Sequence, residues 1–156
     1  MFDQSSGTLF SRVSAGGEIN EIRFPSHLGI AGEVFTSGKS MNIPHAYADL
    51  RFNPSFDKQT GFFTRSILCV PIVNNDNETI GVTQVLNKKG GVSSDEDEQR
   101  LKAFTAQISI SLQNSKLFDD VQRIKNYNES MLQSMSNGVL TVDPKGDVVT
   151  CNAAAL

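Results

Sequence analysis

Four residues at a strand-to-helix transition, Gly29-Ile30-Ala31-Gly32, have the clearest capacity for chemistry. The first turn of a helix exposes backbone N–H groups without intrahelical partners and the positive end of the helix dipole. Because small residues let a phosphate come close to that turn, they indicate an anion-binding site. The alternative is that the glycines only permit a tight turn between the strand and the helix.

The histidines and cysteines predict no catalysis and no metal site. No cysteine, glutamate or second histidine stands at metal-ligand spacing around His27 or His45, the only two histidines, which suit loop or capping roles. Cys69 lies in the apolar run ILCVPI, where a buried, unreactive thiol is expected. With Cys151 as the only other cysteine, no disulfide framework can form. We therefore predict a non-enzymatic module without a cofactor.

Composition indicates one domain with additional fragments. A chain of 156 residues, 38% of them hydrophobic, can bury one core of ordinary size. The net charge of -3 and the lack of a basic cluster argue against a nucleic-acid or anionic membrane partner. No apolar run approaches a membrane span, and the first residues do not resemble a signal peptide. We expect a soluble protein in the reducing cytoplasm.

The first half of the chain predicts a hairpin, a helix and a long irregular segment. Apolar and polar residues alternate over residues 8–15 and 18–24, and Gly16-Gly17 marks the turn between two strands. A short helix begins near Gly29. Residues 41–61 are rich in proline, asparagine, aspartate and aromatic residues, which is typical of a functional loop or lid, or of a packed Ω-loop.

The second half predicts another hairpin and a very long helix. Residues 65–73 are apolar and residues 78–88 alternate, so both are strands. Ser93-Ser94 and the acidic DEDE run suit the start of a helix, which continues to Ser136 and would span roughly 65 Å at about 1.5 Å per residue. One face packs on the sheet through Leu101, Phe104, Ile108 and Leu112. Further on, the helix carries a heptad seam of Leu117, Val121, Ile124, Asn128, Met131 and Met135, typical of a coiled coil.

Four sequence blocks carry a resemblance to a known family: GIAGEVFTSGKSMNIPHAY, FDKQTGFFTRSILCVPI, ETIGVTQVLNKKGG and DEDEQRLKAF. Over about residues 8–112 the chain resembles GAF domains of cyclic-nucleotide phosphodiesterases and, more closely, of cyanobacterial adenylate cyclases. The resemblance implies an α+β fold, an antiparallel sheet with helices on one face. The tail SNGVLTVDPKGDVVTCNAAAL resembles the start of a PAS domain. We predict an N-terminally truncated GAF domain (1–115), a coiled-coil linker (116–136) and a truncated PAS start (137–156).

The resemblance assigns an architectural motif. Cyclic-nucleotide-binding GAF domains carry Asn-Lys, then Phe, three further residues and Asp-Glu. Asn87, Lys88, Asp97 and Glu98 match this pattern, whereas Ser93 stands at the Phe position. In the family the lysine and the aspartate form a buried ion pair, and we expect the same of Lys88 and Asp97.

The resemblance also implies the ligand contacts. Ile30 and Ala31 match the turn that binds the cyclic phosphate. Thr60, Thr64 and the lid residue Asp57 match pocket positions, although turn and capping hydrogen bonds are an alternative for them. Asn53 stands where some relatives have tyrosine.

Two strand positions resemble the cyclase-type pattern. Arg12 and Ser14 have one-face spacing, although Arg12 on a solvated face is an alternative. The acid that phosphodiesterase-type relatives place near Ser14 and Ala15 is missing, which disfavours guanine. The amide of Gln84 can pair with a purine edge. We therefore predict cAMP over cGMP as the ligand.

The predicted function is a regulatory sensor. Ligand binding under the lid shifts the sheet-packed helix, and a parallel homodimer through residues 117–135 carries the change to a PAS domain and an effector, by resemblance an adenylate cyclase. The alternatives are a GAF domain that binds another small molecule and a ligand-free dimerisation module of a sensor kinase or similar protein.

Overall fold

A computed structural model describes residues 1–15 and 18–156, without the side chains of residues 12–15, 18–20 and 60. The turn predicted at Gly16-Gly17 therefore lies outside the described residues, as do the side chains of three predicted ligand residues, Arg12, Ser14 and Thr60.

Strands and helices follow one another in a mixed order. They are β1 (Phe2–Asp3), β2 (Thr8–Ala15), β3 (Glu18–Pro25), α1 (Gly29–Ser37), β4 (Met41–Ile43), α2 (Ser55–Thr60), β5 (Ile67–Val73), β6 (Thr79–Leu86), α3 (Asp95–Ser134), β7 (Leu140–Val142) and β8 (Val148–Cys151). Short 3-10 helices cover Ala46–Ala48 and Ala153–Ala155.

The strands pair antiparallel. One sheet has the order β1-β2-β3 and a second has the order β4-β5-β6. In the second sheet Met41 of β4 lies opposite Cys69 of β5, and Cys69 lies opposite Gln84 of β6. The expected α+β class, with antiparallel strands and a long C-terminal helix, is confirmed.

Strand β5 is buried on both faces. Ile67 and Cys69 pack in one cluster with buried residues of α1. Successive strand residues point to opposite faces, so Leu68 and Val70 pack on the other side, against Leu101 of α3. Helix α1 therefore covers one face of this strand, and the first part of α3 covers the other.

The chain forms two compact units, Met1–Ser111 and Leu112–Leu156. The second contains the end of α3 and the antiparallel β7–β8 hairpin. The three predicted segments remain a prediction. None of the helices in the described part of the chain has the length and apolar character needed to cross a bilayer.

Asn152 joins the hairpin to the end of α3. Its side chain is 1% exposed, and its Nδ2 donates to the carbonyl oxygens of Leu132 (3.0 Å) and Asn137 (2.9 Å). The N–H of Val139 donates to its Oδ1 (2.8 Å). One buried amide thus connects the last turn of the helix, the following turn and the hairpin.

Val34→Ala tests the α1 side of the core. Val34 has 0% exposure, so the lost transfer free energy and the remaining cavity should lower the free energy of unfolding by about 2 kcal/mol. Val92→Ala is the control, because Val92 is 50% exposed. Urea denaturation measures both, and equal losses would contradict the placement of the core.

Candidate ligand site at the start of helix α1

Helix α1 begins without a capping side chain. Its N-cap residue, Leu28, is extended and makes no side-chain hydrogen bond to the first turn. Gly29 has a φ of 71°, which glycine adopts without strain. Ile30 and Ala31 follow and are 3% and 7% exposed. The first turn therefore presents N–H groups without a side-chain cap at a protected position, which suits a small anion.

Gly32 is explained by close packing. A Cβ atom there would lie 2.4 Å from the carbonyl carbon of His27 and 2.9 Å from the carbonyl oxygen of Ser26, too close for any residue but glycine. The tight-turn alternative thus accounts for Gly32 without a ligand. Close packing at Gly32 does not, however, explain why the N–H groups at the start of α1 have no side-chain cap.

The 41–61 segment approaches the start of α1. A Cβ atom on Gly29 would lie 3.9 Å from the Cβ of Asn53 and 3.9 Å from the carbonyl oxygen of Arg51. Phe52, between these two residues, packs against the core cluster that includes Ile30. The structure thus brings the predicted residues Asn53 and Ile30 to one place.

Asp57 and Thr64 are also brought together, with each other as partners. The N–H and the hydroxyl of Thr64 donate to Asp57, to Oδ2 and Oδ1 respectively, each at 2.7 Å. The hydroxyl of Tyr47 donates to Oδ2 as well (3.0 Å). Burial favours the neutral acid, but the hydrogen bonds from Thr64 and Tyr47 outweigh it and lower the pKa of Asp57. The carboxylate is therefore ionised at neutral pH.

Sequence reasoning did not include Tyr47. Its ring stacks on Phe63 with a centroid distance of 5.1 Å and lies 5.0 Å from the ring of Phe52. Two signals in the sequence could have found it: it ends the block GIAGEVFTSGKSMNIPHAY, and it lies inside the aromatic-rich 41–61 segment.

Gln84 lies on the α1 side of β6. It is exposed and stands opposite Cys69, whose side chain packs with α1. Burial raises the pKa of Cys69 to about 12, against a hydrogen bond with the Gln84 side chain, so the thiol stays protonated. Over the described residues, no three histidine, cysteine, aspartate or glutamate side chains are grouped so that they could hold a metal ion.

Backbone pairing locates the remaining predicted residues. Arg12 and Ser14 lie opposite Glu21 and Ile19 in the β2–β3 pair. Thr60 is the last residue of α2. Their roles as ligand contacts remain predictions.

Asn87 connects the end of β6 to the residues that follow the 41–61 segment. It has a φ of 54°, and its Oδ1 accepts from the N–H groups of Arg65 (2.6 Å) and Ser66 (3.3 Å). Its Nδ2 donates to the carbonyl oxygen of Phe63 (2.7 Å). The side chain thus bonds a stretch of backbone that runs from the segment into β5.

Lys88 and Asp97 form an ion pair across the loop that precedes α3. Their side chains are 38% and 26% exposed, so the pair is partly solvated, contrary to the expected buried pair. Because both side chains reach water, solvent screens the attraction between the two charges. Neighbouring Glu98 pairs with Lys102 (2.6 Å).

Asp97 is also part of the cap of α3. The N–H and the hydroxyl of Ser94 donate to its Oδ2 (2.7 and 2.9 Å). The hydrogen bond from Lys88 has the largest effect on the pKa of Asp97, followed by those from Ser94, and together they hold it well below its usual range. A folded-state pKa below the unfolded value stabilises the fold above the ordinary carboxyl pKa of about 4, and this stabilisation is lost as the pH falls further.

Two surface pockets lie beside α3. One, of about 570 Å³, includes Lys39, Pro71 and Thr105 in its lining. The other, of about 310 Å³, includes Val85 and Phe104. None of the predicted ligand residues lines either pocket, so neither belongs to the candidate site.

Comparison with known proteins identifies the domain. The model of the family described as GAF domain matches residues 3–112. The chain belongs to the GAF domain family. A GAF domain is a regulatory, non-catalytic module, and the curated relatives support a role as a small-molecule sensor.

Two curated relatives share this GAF domain. One, of Caenorhabditis elegans, is described as a probable 3',5'-cyclic phosphodiesterase, pde-5, and is 41% identical over 112 residues, 72% of this chain. The other is the dual 3',5'-cyclic-AMP and -GMP phosphodiesterase 11A of Takifugu rubripes, 40% identical over 119 residues, 75% of this chain. The chain spans only 15% and 13% of the length of these relatives.

A solved structure shares the fold. The GAF domain of an Acinetobacter phosphoenolpyruvate-protein phosphotransferase superposes with a TM-score of 0.61 at 19% identity. The match covers 76% of this chain and 70% of that one. At this identity it supports the GAF architecture alone.

Asn87→Ala tests the connection between β6 and the backbone after the segment. The variant loses three hydrogen bonds and places alanine at a positive φ, so the free energy of unfolding should fall by about 2–3 kcal/mol. Asn77→Ala is the matched control, because Asn77 has a φ of 60° in an exposed turn. Denaturant unfolding that gave equal losses would show that only the backbone conformation matters.

Proposed function

We propose that this GAF domain is the sensor of a longer signalling protein and binds a cyclic nucleotide, cAMP in preference to cGMP. The observation that carries the proposal is the protected first turn of α1, with no side-chain cap and Asn53 close by. A cyclic nucleotide needs an anion site, polar contacts and an apolar slot. The amides of residues 29–31, the side chains of Asn53 and Gln84, and the apolar Phe52 supply these three components.

The names of the relatives support the ligand class. One is described as a probable 3',5'-cyclic phosphodiesterase, and the name of the other includes both cyclic AMP and cyclic GMP. Since this chain matches only a small part of each, their catalytic activity is not transferred with the match. The names favour a cyclic nucleotide without selecting the base.

The preference for adenine rests on side-chain chemistry. Gln84 offers both a donor and an acceptor, which matches the mixed edge of adenine. Guanine presents neighbouring N–H donors that suit a carboxylate acceptor. Positions 14 and 15 are serine and alanine, which have no carboxylate. Arg12 adds a positive charge on the same strand for an anionic ligand.

Gln84→Ala tests this assignment by isothermal titration. The wild-type chain should bind cAMP more tightly than cGMP. The variant should lose about tenfold in affinity for cAMP, because one purine hydrogen bond disappears. Gln99→Ala on the exposed face of α3 is the matched control and should bind like the wild type.

Several outcomes would contradict the assignment. No heat with either nucleotide would exclude the cyclic-nucleotide proposal and favour another small molecule or a ligand-free dimerisation module. Tighter binding of cGMP would overturn the choice of base. Unchanged cAMP affinity in Gln84→Ala would remove Gln84 from the site.

The signal leaves through α3, which we propose forms a parallel homodimer. Apolar residues of the heptad seam are exposed in the single chain: Leu117 (64%), Val121 (55%), Ile124 (60%), Met131 (49%) and Met135 (43%). Covering this seam with a second copy removes the apolar surface from water, and Asn128 within it favours in-register pairing. Ligand binding shifts the dimer between states only as far as its affinities for them differ.

The tail completes the proposed relay. The β7–β8 hairpin has the strand-turn-strand order expected for a PAS start, and we assign residues 137–156 to such a domain. Its effector is an adenylate cyclase in this proposal. Both described cysteines are free, which suits the cytoplasm.

Ile124→Glu tests the seam. Light scattering should give a dimer mass for the wild-type chain and a monomer mass for the variant, because a carboxylate in the seam is desolvated without a partner. Gln122→Glu adds the same charge outside the seam and should leave the dimer intact. A wild-type chain that is monomeric at high micromolar concentration would overturn the dimer proposal.

A further inference from the structure

Tyr47 links three parts of the candidate site. It lies in the 3-10 helix Ala46–Ala48, and its hydroxyl reaches Asp57 in α2 (3.0 Å). The preceding residue, Ala46, is buried, and its N–H donates to the carbonyl oxygen of Arg65 (2.8 Å), which leads into β5. We call Tyr47, Asp57 and Thr64 the latch.

Three donors occupy the carboxylate of the latch. Asp57 is 9% exposed and takes hydrogen bonds from the N–H of Thr64, the hydroxyl of Thr64 and the hydroxyl of Tyr47. A carboxylate with three donors has little capacity left for a ligand, and its negative charge would repel a phosphate. This geometry suits an anchor for the backbone better than a direct ligand contact.

The ring of Tyr47, which carries the donating hydroxyl, contacts two other aromatic rings. Tyr47 stacks on Phe63 with an interplanar angle of 15°, and its ring centroid lies 5.0 Å from that of Phe52. Phe52 in turn packs against the cluster that contains Ile30. The contacts of Tyr47 therefore lead to the residues beside the first turn of α1.

We propose that Tyr47 is a positioning residue that holds residues 53–64 beside the first turn of α1 and thereby slows the release of a ligand bound there. This inference rests on the proposed function for its ligand. Tyr47 itself need not touch the nucleotide, because it acts through Asp57 and through its contact with Phe52.

The titration behaviour of the latch agrees with its geometry. Partial desolvation first, and the hydrogen bond and charge of Asp57 second, raise the pKa of Tyr47, which is about half exposed. A phenol that donates to a carboxylate resists losing its proton, since the bond exists only in the protonated form.

Tyr47→Phe removes the hydroxyl and keeps the ring contacts. With tritiated cAMP bound and excess unlabelled cAMP added, release from the variant should be about three- to tenfold faster than from the wild type. The association rate should stay within about twofold, because the amides of α1 are unchanged. Tyr127→Phe, on the exposed part of α3, removes the chain's other tyrosine hydroxyl and should leave both rates unchanged.

A second measurement needs no ligand. The chain has two tyrosines and no tryptophan, so in a Tyr127→Phe background the phenolate absorbance reports on Tyr47 alone. Adding Asp57→Asn should lower the pKa of Tyr47 towards its ordinary value. Hydrogen exchange of the Thr64 amide should also be faster in Tyr47→Phe than in Tyr127→Phe.

The outcomes separate the two proposals. If the wild type binds neither cAMP nor cGMP, the proposed function and the effect on release both fall, and the exchange measurement alone judges whether Tyr47 holds the segment. If the wild type binds cAMP but Tyr47→Phe releases it at the wild-type rate, the positioning role is wrong and the proposed function stands. Equal slowing of association and release would also contradict a latch.

Discussion

The burial of β5 on both faces is the constraint on which the first unit depends. Ile67 and Cys69 require cover on one side, and Leu68 and Val70 require cover on the other. Helix α1 meets the first requirement and α3 the second. The candidate ligand site follows from this arrangement, because packing α1 against β5 also fixes where its first turn lies relative to residues 51–53.

Local patterns in the sequence were enough to predict most of the elements. Period-two alternation located β2, β3 and β6, an apolar run located β5, and helical spacing located α1. The boundaries were less accurate, since α3 ends at Ser134 and β5 begins at Ile67, two residues inside the predicted limits. Helix ends and strand ends depend on caps and neighbours, which a periodic pattern does not encode.

The hydrogen-bond partners within the site could not be predicted in the same way. Asp57 and Thr64 matched ligand positions by resemblance, yet the structure pairs them with each other and with Tyr47. The segment expected to be irregular contains β4, the 3-10 helix Ala46–Ala48 and α2, and those contacts depend on how these short elements pack on one another. The solvation of the Lys88–Asp97 pair is likewise set by packing around it, and the order of residues gives only their identity.

The amide of Asn152 determines how the second unit can deform. The last turn of a helix ordinarily frays, because its carbonyl groups have no N–H partners within the helix. Here the carbonyl of Leu132, and that of Asn137 just beyond the helix, are held by a side chain that belongs to the strand-turn-strand element. If the end of α3 rotates about its axis, the hairpin must rotate with it or the hydrogen bonds of the buried Asn152 amide must break. We therefore expect this junction to be rigid.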